Sequence, residues 1–205
     1  MLVPVPDDLL VCFVGDSFVA GVGDPEHLGW VGRLAARTHR QHRPLTAYVL
    51  GVRRETSRDV AARWRAECEA RLPPECDGRV VVSVGVNDTT LEDGAVRVAA
   101  PDAAAHLADV LRGARQAGWP VLVVGPPPVA DPAQNDRLAR LDAALSAVCG
   151  AAAVGYLPVL QQLRTDAVWM EQVTGGDGAH PGADGYRRLA DLVWPRWLAW
   201  LTAAR

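Results

Sequence analysis

The chain has 205 residues, enough for one domain with a buried core, and its 21 basic and 24 acidic residues leave a formal net charge of −3. That balance gives no electrostatic basis for binding nucleic acid. All 21 basic residues are arginine, and the lack of lysine excludes Schiff-base chemistry, a Walker lysine and a Ser-Lys dyad.

In chain order, short β-branched runs alternate with longer stretches of helical period, the pattern of strands joined by crossover helices. Strands are predicted over 10–14, 46–50, 79–84, 120–124 and 155–157, and helices over 28–40, 56–71, 103–117, 134–148 and 183–201. Val80, Val81, Val82 and Val84 form an apolar run suited to a central parallel strand covered on both faces. Thr56 and Asp59 are spaced as a capping box, and Gly118 reads as a helix stop. In such a sheet ligands bind outside the carboxyl ends of the strands, so function is expected in the loops that follow them. No linker divides the chain, and a single domain over 1–205 is expected.

The search for a nucleophile is narrow, because the serines are Ser17, Ser57, Ser83 and Ser146. Ser83 falls within a strand, and Ser57 and Ser146 fall within helices. Ser17 directly follows the first strand in Gly15-Asp16-Ser17-Phe18, where glycine permits a sharp turn that exposes the hydroxyl; a plain helix cap is the alternative. A serine needs a base and a group to orient that base. His180 precedes the last helix in Asp177-Gly178-Ala179-His180-Pro181, and Asp177, three residues upstream, is placed to hold the ring nitrogen that does not face the serine. Asp24 and His27 repeat the spacing, yet lie so close to Ser17 that His27 would have to fold back, and a structural role is favoured for both. His39, His42 and His106 read as solvated surface residues. His39-x-x-His42 has no further ligand cluster, so no metal and no cofactor are expected.

Two more strand ends offer donors for an oxyanion: the backbone N–H of Gly51 and the amide of Asn87 in Gly85-Val86-Asn87-Asp88; each is also readable as a turn residue. With these blocks in order, the chain resembles the SGNH or GDSL hydrolases over about residues 10–200. The resemblance implies a flavodoxin-like, doubly wound three-layer α/β/α sandwich on a five-stranded parallel sheet. It also implies a Ser17-His180-Asp177 triad and an oxyanion hole built from Ser17, Gly51 and Asn87. Phe18 stands where the family's GDSL block has leucine, and Val49 and Arg54 stand where relatives often have Asn and Gly. The Gly-x-Ser-x-Gly elbow of ordinary α/β-hydrolases is absent.

The expected reaction is hydrolysis of a small-molecule acyl ester by an esterase- or lipase-like enzyme, thioesterase or deacetylase activity included, with acyl transfer as the alternative and a non-catalytic flavodoxin-like module as a poorer fit. Pocket walls are expected from 89–100, 126–132 and 168–174, with Gly21-Val22-Gly23 as a flexible edge. Asp16, Trp169 and Met170 are the candidate substrate contacts, a core role being the alternative for the last two. Trp194, Trp197 and Trp200 form a stripe read as core, with Pro195 kinking or restarting the helix. No apolar run reaches the roughly 18 residues of a membrane span, and the first ten residues do not read as a secretion signal. A cytoplasmic location with reduced cysteines is therefore expected, a Cys68–Cys76 bridge being the only local alternative. Oligomeric state is not legible.

Overall fold

The computed structural model describes residues 8–41 and 43–203; His42 and its expected surface position lie outside the described residues. The elements in order are β1 (Leu9–Gly15), α1 (Ser17–Ala20), α2 (Gly29–Arg40), β2 (Thr46–Gly51), α3 (Ser57–Glu69) and β3 (Asp77–Ser83). A small hairpin of β4 (Leu91–Glu92) and β5 (Ala95–Val96) follows, then α4 (Ala100–Ala117), β6 (Val121–Val124) and α5 (Pro132–Ala151). The chain closes with β7 (Gly155–Leu157), α6 (Leu160–Arg164), α7 (Ala167–Gly175) and α8 (Ala183–Thr202).

Five strands pair in parallel in the order β2-β1-β3-β6-β7, so the connection reverses direction at β1, the place where a doubly wound sheet opens its ligand crevice. Alternation along β1 builds two cores. Leu9, Val11 and Phe13 join the layer that contains Trp30, Trp169, Tyr186 and Trp197. Leu10, Cys12 and Val14 join the layer beneath α3 and α4 with Val60, Trp64 and Leu107. Burial on both faces explains why the central strands read as unbroken apolar runs.

All five sheet strands and the five long helices were legible in the sequence, with ends shifted by a few residues. The hairpin, α1, α6 and α7 were not. The expected capping box forms, Thr56 N and Oγ1 both donating to Asp59 Oδ2 at 2.9 and 2.7 Å. The tryptophan stripe is core at Trp194 and Trp197, whose indole N–H donates to Thr38 Oγ1 at 2.9 Å, while Trp200 is half-buried against the Arg79 guanidinium. Pro195 does not restart the helix, since α8 runs through it. Cys68 is a buried free thiol, so no bridge to Cys76 forms.

Candidate active site

The register places the carboxyl end of β1 between two loops: Gly15 pairs with Gly51 on one side and with Ser83 on the other. A Cβ on Gly15 would stand 2.1 Å from Ser83 O, so only glycine fits that seam. The chain then turns at once into α1. Asp16 caps it, its Oδ1 accepting from Phe18 N at 3.0 Å, and Gly21 ends it with φ +74°. Ser17 is thereby the first helical residue at the crevice, 4 % exposed.

His180 arrives from the far end of the chain. Asp177 builds its loop with both oxygens: Oδ1 accepts from the amides of Ala179 and His180 at 2.9 and 2.8 Å, and Oδ2 lies 2.7 Å from His180 Nδ1. The other ring nitrogen, Nε2, lies 2.7 Å from Ser17 Oγ. Partial burial pushes the Asp177 carboxyl up, but the His180 amide and ring and the Ala179 amide outweigh it and hold it at about 2. An ionised Asp177 favours Nδ1–H on the ring, which leaves Nε2 as the acceptor facing the serine hydroxyl.

Several contacts fix the histidine loop. Gly178 O accepts from Ala130 N at 2.8 Å, Tyr186 donates to Val22 O at 2.7 Å, and the Phe18 ring lies 5.0 Å from the imidazole. Gly21-Val22-Gly23, expected as a flexible pocket edge, is instead the bracket beneath this loop. A Cβ on Gly23 would stand 2.8 Å from Pro181 O and 3.0 Å from His180 Cβ. Asp24 accepts from the amides of Glu26, Leu28 and Gly29 and from Arg33, while His27 is exposed, so the competing pair is structural.

Ser17, Phe18, Asn87, Asp177 and His180 line a cleft of about 240 Å³. Arg53, Arg54, Val86, Thr90, Val129 and Gln134 complete much of its wall. Of the expected contacts, Gly51, Trp169, Met170 and Asp16 are not among its lining residues. Gly51 packs beneath α1, where a Cβ would meet Ala20 N at 2.3 Å and Asp16 O at 2.6 Å. Its missing side chain serves helix packing, and the β2–α3 loop presents Arg53 and Arg54 to the cleft instead. Trp169 is fully buried, stacked 6.4 Å from Phe18 and donating to Pro128 O at 3.0 Å, and Met170 packs against the same core, so the 168–174 wall is absent. Asp16 is 2 % exposed and does not reach the cleft. Burial raises its carboxyl to about 7, with the Asp88 and Glu55 charges adding to the rise against the Phe18 amide.

Asn87 does line the cleft. Its amide donates to Glu55 O at 2.9 Å and reaches Asp16 Oδ2 at only 3.4 Å, so the second N–H is loosely held. The turn that carries it is pinned by residues whose role was not legible. Asp88, fully buried, accepts from Ser57 N and Oγ, and Ser57 Oγ lies 3.0 Å from His106 Nδ1. His106 is therefore half-buried and partnered rather than a solvated surface residue. Gln134 Nε2 donates to Val86 O at 3.0 Å, and Asn135 grips Val129 through both backbone groups at 2.9 and 2.7 Å. A larger cavity of about 700 Å³ opens at the amino ends of β6 and β7, but its lining includes no serine, histidine or carboxylate.

A serine hydroxyl, an imidazole and a carboxylate joined in series at the carboxyl edge of a parallel sheet have the arrangement of acyl-transfer hydrolases. Residues 13–188 match the GDSL-like Lipase/Acylhydrolase family, and the chain belongs to that family of hydrolases. Among solved structures it is similar to a lipase/acylhydrolase from Enterococcus faecalis, at 20% identity and TM-score 0.71, covering 92% of this chain and 94% of that one. It is also similar to the psychrotrophic esterase EstA from Pseudoalteromonas sp., at 16% identity and TM-score 0.72 over 96% and 100% of the two chains. Axe2, an acetylxylan esterase from Geobacillus stearothermophilus, aligns at 16% identity and TM-score 0.70 over 98% of each. At these identities the likeness is one of fold. No curated protein sequence matches.

Proposed function

We propose that the protein is a carboxylic ester hydrolase that works through an acyl-enzyme on Ser17. The observation that carries this reading is the unbroken relay Asp177–His180–Ser17, with both links at 2.7 Å. His180 Nε2 takes the hydroxyl proton as Ser17 Oγ bonds to the ester carbonyl carbon, and the carbonyl π pair moves to oxygen. The Ser17 N–H and the loosely held N–H of Asn87 face that oxyanion; such a donor is typically worth on the order of 100-fold in rate or more. Collapse breaks the bond to the alcohol oxygen, which leaves with the proton from His180. Water, deprotonated by the same nitrogen, then releases the carboxylic acid and restores Ser17. The cleft of about 240 Å³ favours short acyl groups.

A chain-length series of p-nitrophenyl esters on wild type and Ser17→Ala tests the reading. Turnover should peak at short chains and fall at least a thousandfold in the variant. A phosphonate of the kind that inhibits EstA should add one adduct at Ser17. Full activity in Ser17→Ala, or an intact Ser17 after phosphonate treatment, would refute it.

A further inference from the structure

The cleft that holds Ser17 and His180 is also lined by Arg53 and Arg54, two adjacent guanidinium groups that the ester chemistry does not use. Arg53 is exposed and has no hydrogen bond or ion pair with any described residue. Arg54 has an 82% exposed side chain, and its only ion contact among the described residues is Glu92 at 3.9 Å, a carboxylate already paired more closely with Arg97 at 3.1 Å. The remaining carboxylates around the cleft are occupied as well. Asp131 accepts from Ala133 N at 2.9 Å and lies 3.6 Å from Arg137, and Asp177 is committed to His180. Arg53 is thus unpaired among the described residues, and Arg54 is opposed only by Glu92, 3.9 Å away and shared with Arg97.

The backbone that presents it is held in place. Arg54 takes φ +67°, a left-handed conformation that non-glycine residues rarely adopt and that persists where surrounding structure enforces it. Arg97 donates to Arg54 O at 2.8 Å. Glu55 is fixed through Arg63 at 2.7 Å, and Arg63 also donates to Leu50 O and Gly15 O at the ends of β2 and β1. The loop is therefore a turn with a pinned backbone that carries two cations into the cleft lined by Ser17, while Phe18, Val86, Val129 and Ala179 give an apolar face in the same cleft.

From this arrangement, and resting on the esterase reading above, we infer that the preferred substrate is a short ester carrying an oxyanionic group, a carboxylate or phosphate, that Arg53 and Arg54 bind beside the scissile bond. Planar guanidinium groups suit such an anion because they form paired charge-assisted hydrogen bonds with it. The anion belongs either to the acyl group or to the alcohol, and two pairs of esters separate these sources.

On the acyl side, p-nitrophenyl hemiglutarate is compared with p-nitrophenyl valerate; on the alcohol side, 4-acetoxybenzoate is compared with phenyl acetate. Each is assayed on wild type, on Arg53→Ala and on Arg53→Ala/Arg54→Gly, the glycine keeping the left-handed turn. The ratio of kcat/KM for charged over neutral ester should fall at least tenfold in the double variant for one pair, and 0.5 M salt should lower the same ratio in wild type. Unchanged ratios in both pairs would overturn the inference while leaving ester hydrolysis standing. Binding without turnover is read from the p-nitroanilides of glutaric and valeric acid, and from 4-acetamidobenzoate against acetanilide. An arginine-dependent preference of at least tenfold in Kd for a charged amide supports the inference even if no ester is cleaved, and equal affinities in both pairs refute it.

Discussion

Replacing Asp16 with asparagine gives a test of the buried electrostatics behind the nucleophile. Asp16 is 2 % exposed, and burial raises its carboxyl from 3.8 to about 7, with Asp88 and Glu55 contributing. A carboxyl with a raised folded-state pKa binds its proton more tightly folded than unfolded. Its effect on stability is therefore most favourable below pH 3.8 and is lost as pH rises towards 7. From pH 5 to pH 7 the unfolded chain has already released this proton and the folded chain still holds it. Two pH units at about 1.36 kcal/mol each then give about 3 kcal/mol of lost stability. Asparagine keeps an oxygen for the Phe18 amide, which Asp16 Oδ1 accepts at 3.0 Å, but has nothing to ionise. Urea unfolding of wild type and Asp16→Asn at pH 5 and pH 8 measures the difference directly, since groups common to both proteins largely cancel. The variant should gain about 3 kcal/mol relative to wild type between the two pH values. A difference that stays flat to within about 0.5 kcal/mol would refute the argument that a neutral carboxyl lies beneath Ser17 at pH 5.

Asp177→Asn should lower kcat by about 10²- to 10⁴-fold, because an amide N–H₂ in place of Oδ2 favours the tautomer that puts the proton on Nε2, where it cannot accept from Ser17. Steady-state kinetics decide it, and a loss under fivefold would remove Asp177 from the relay. Because the Asp177 carboxyl is lowered to about 2, its favourable contribution is present above its unfolded 3.8 and is lost as pH falls through 2; any acid limb of the rate profile above pH 5 should survive in this variant's residual activity. Gly51→Ala places a Cβ 2.3 Å from Ala20 N and must displace α1, so chemical denaturation should show a loss of more than about 2 kcal/mol together with reduced activity. Ser57→Ala removes the hydroxyl that donates to buried Asp88, and should cost about 1–3 kcal/mol in urea unfolding; an unchanged midpoint would mean that the bond contributes nothing net.

What the sequence reveals here depends on how far apart the interacting partners lie. The sheet was legible because an unbroken apolar run such as residues 9–14 is a local pattern, and the Asp177–His180 pair because one carboxylate reaches both the amide and the ring three residues on. That Ser17 meets this pair across 163 residues followed only from placing each at the mouth of the same crevice. Where the deciding neighbour is remote and no topological rule supplies it, residue identity misleads. Gly51 reads as a turn glycine at a strand end, and the space where its side chain would stand is filled by α1; Trp169 and Met170 look like pocket wall and are core; His106 looks like surface and is held by Ser57. In each case the side chain suits two environments, and the packing of other elements selects one. Arg54 shows the same ambiguity in the backbone: the left-handed turn that glycine would fill at no steric cost is occupied by an arginine, so the conformation survives while a charge is added. Enforcement of that turn by Arg97 and Arg63, residues with no contact to Ser17, makes the loop's side chains free to vary without altering the relay. In this chain the relay and the arginine wall are braced together at the end of β1, where Arg63 donates to Gly15 O and Asn87 joins Glu55 O to Asp16 Oδ2.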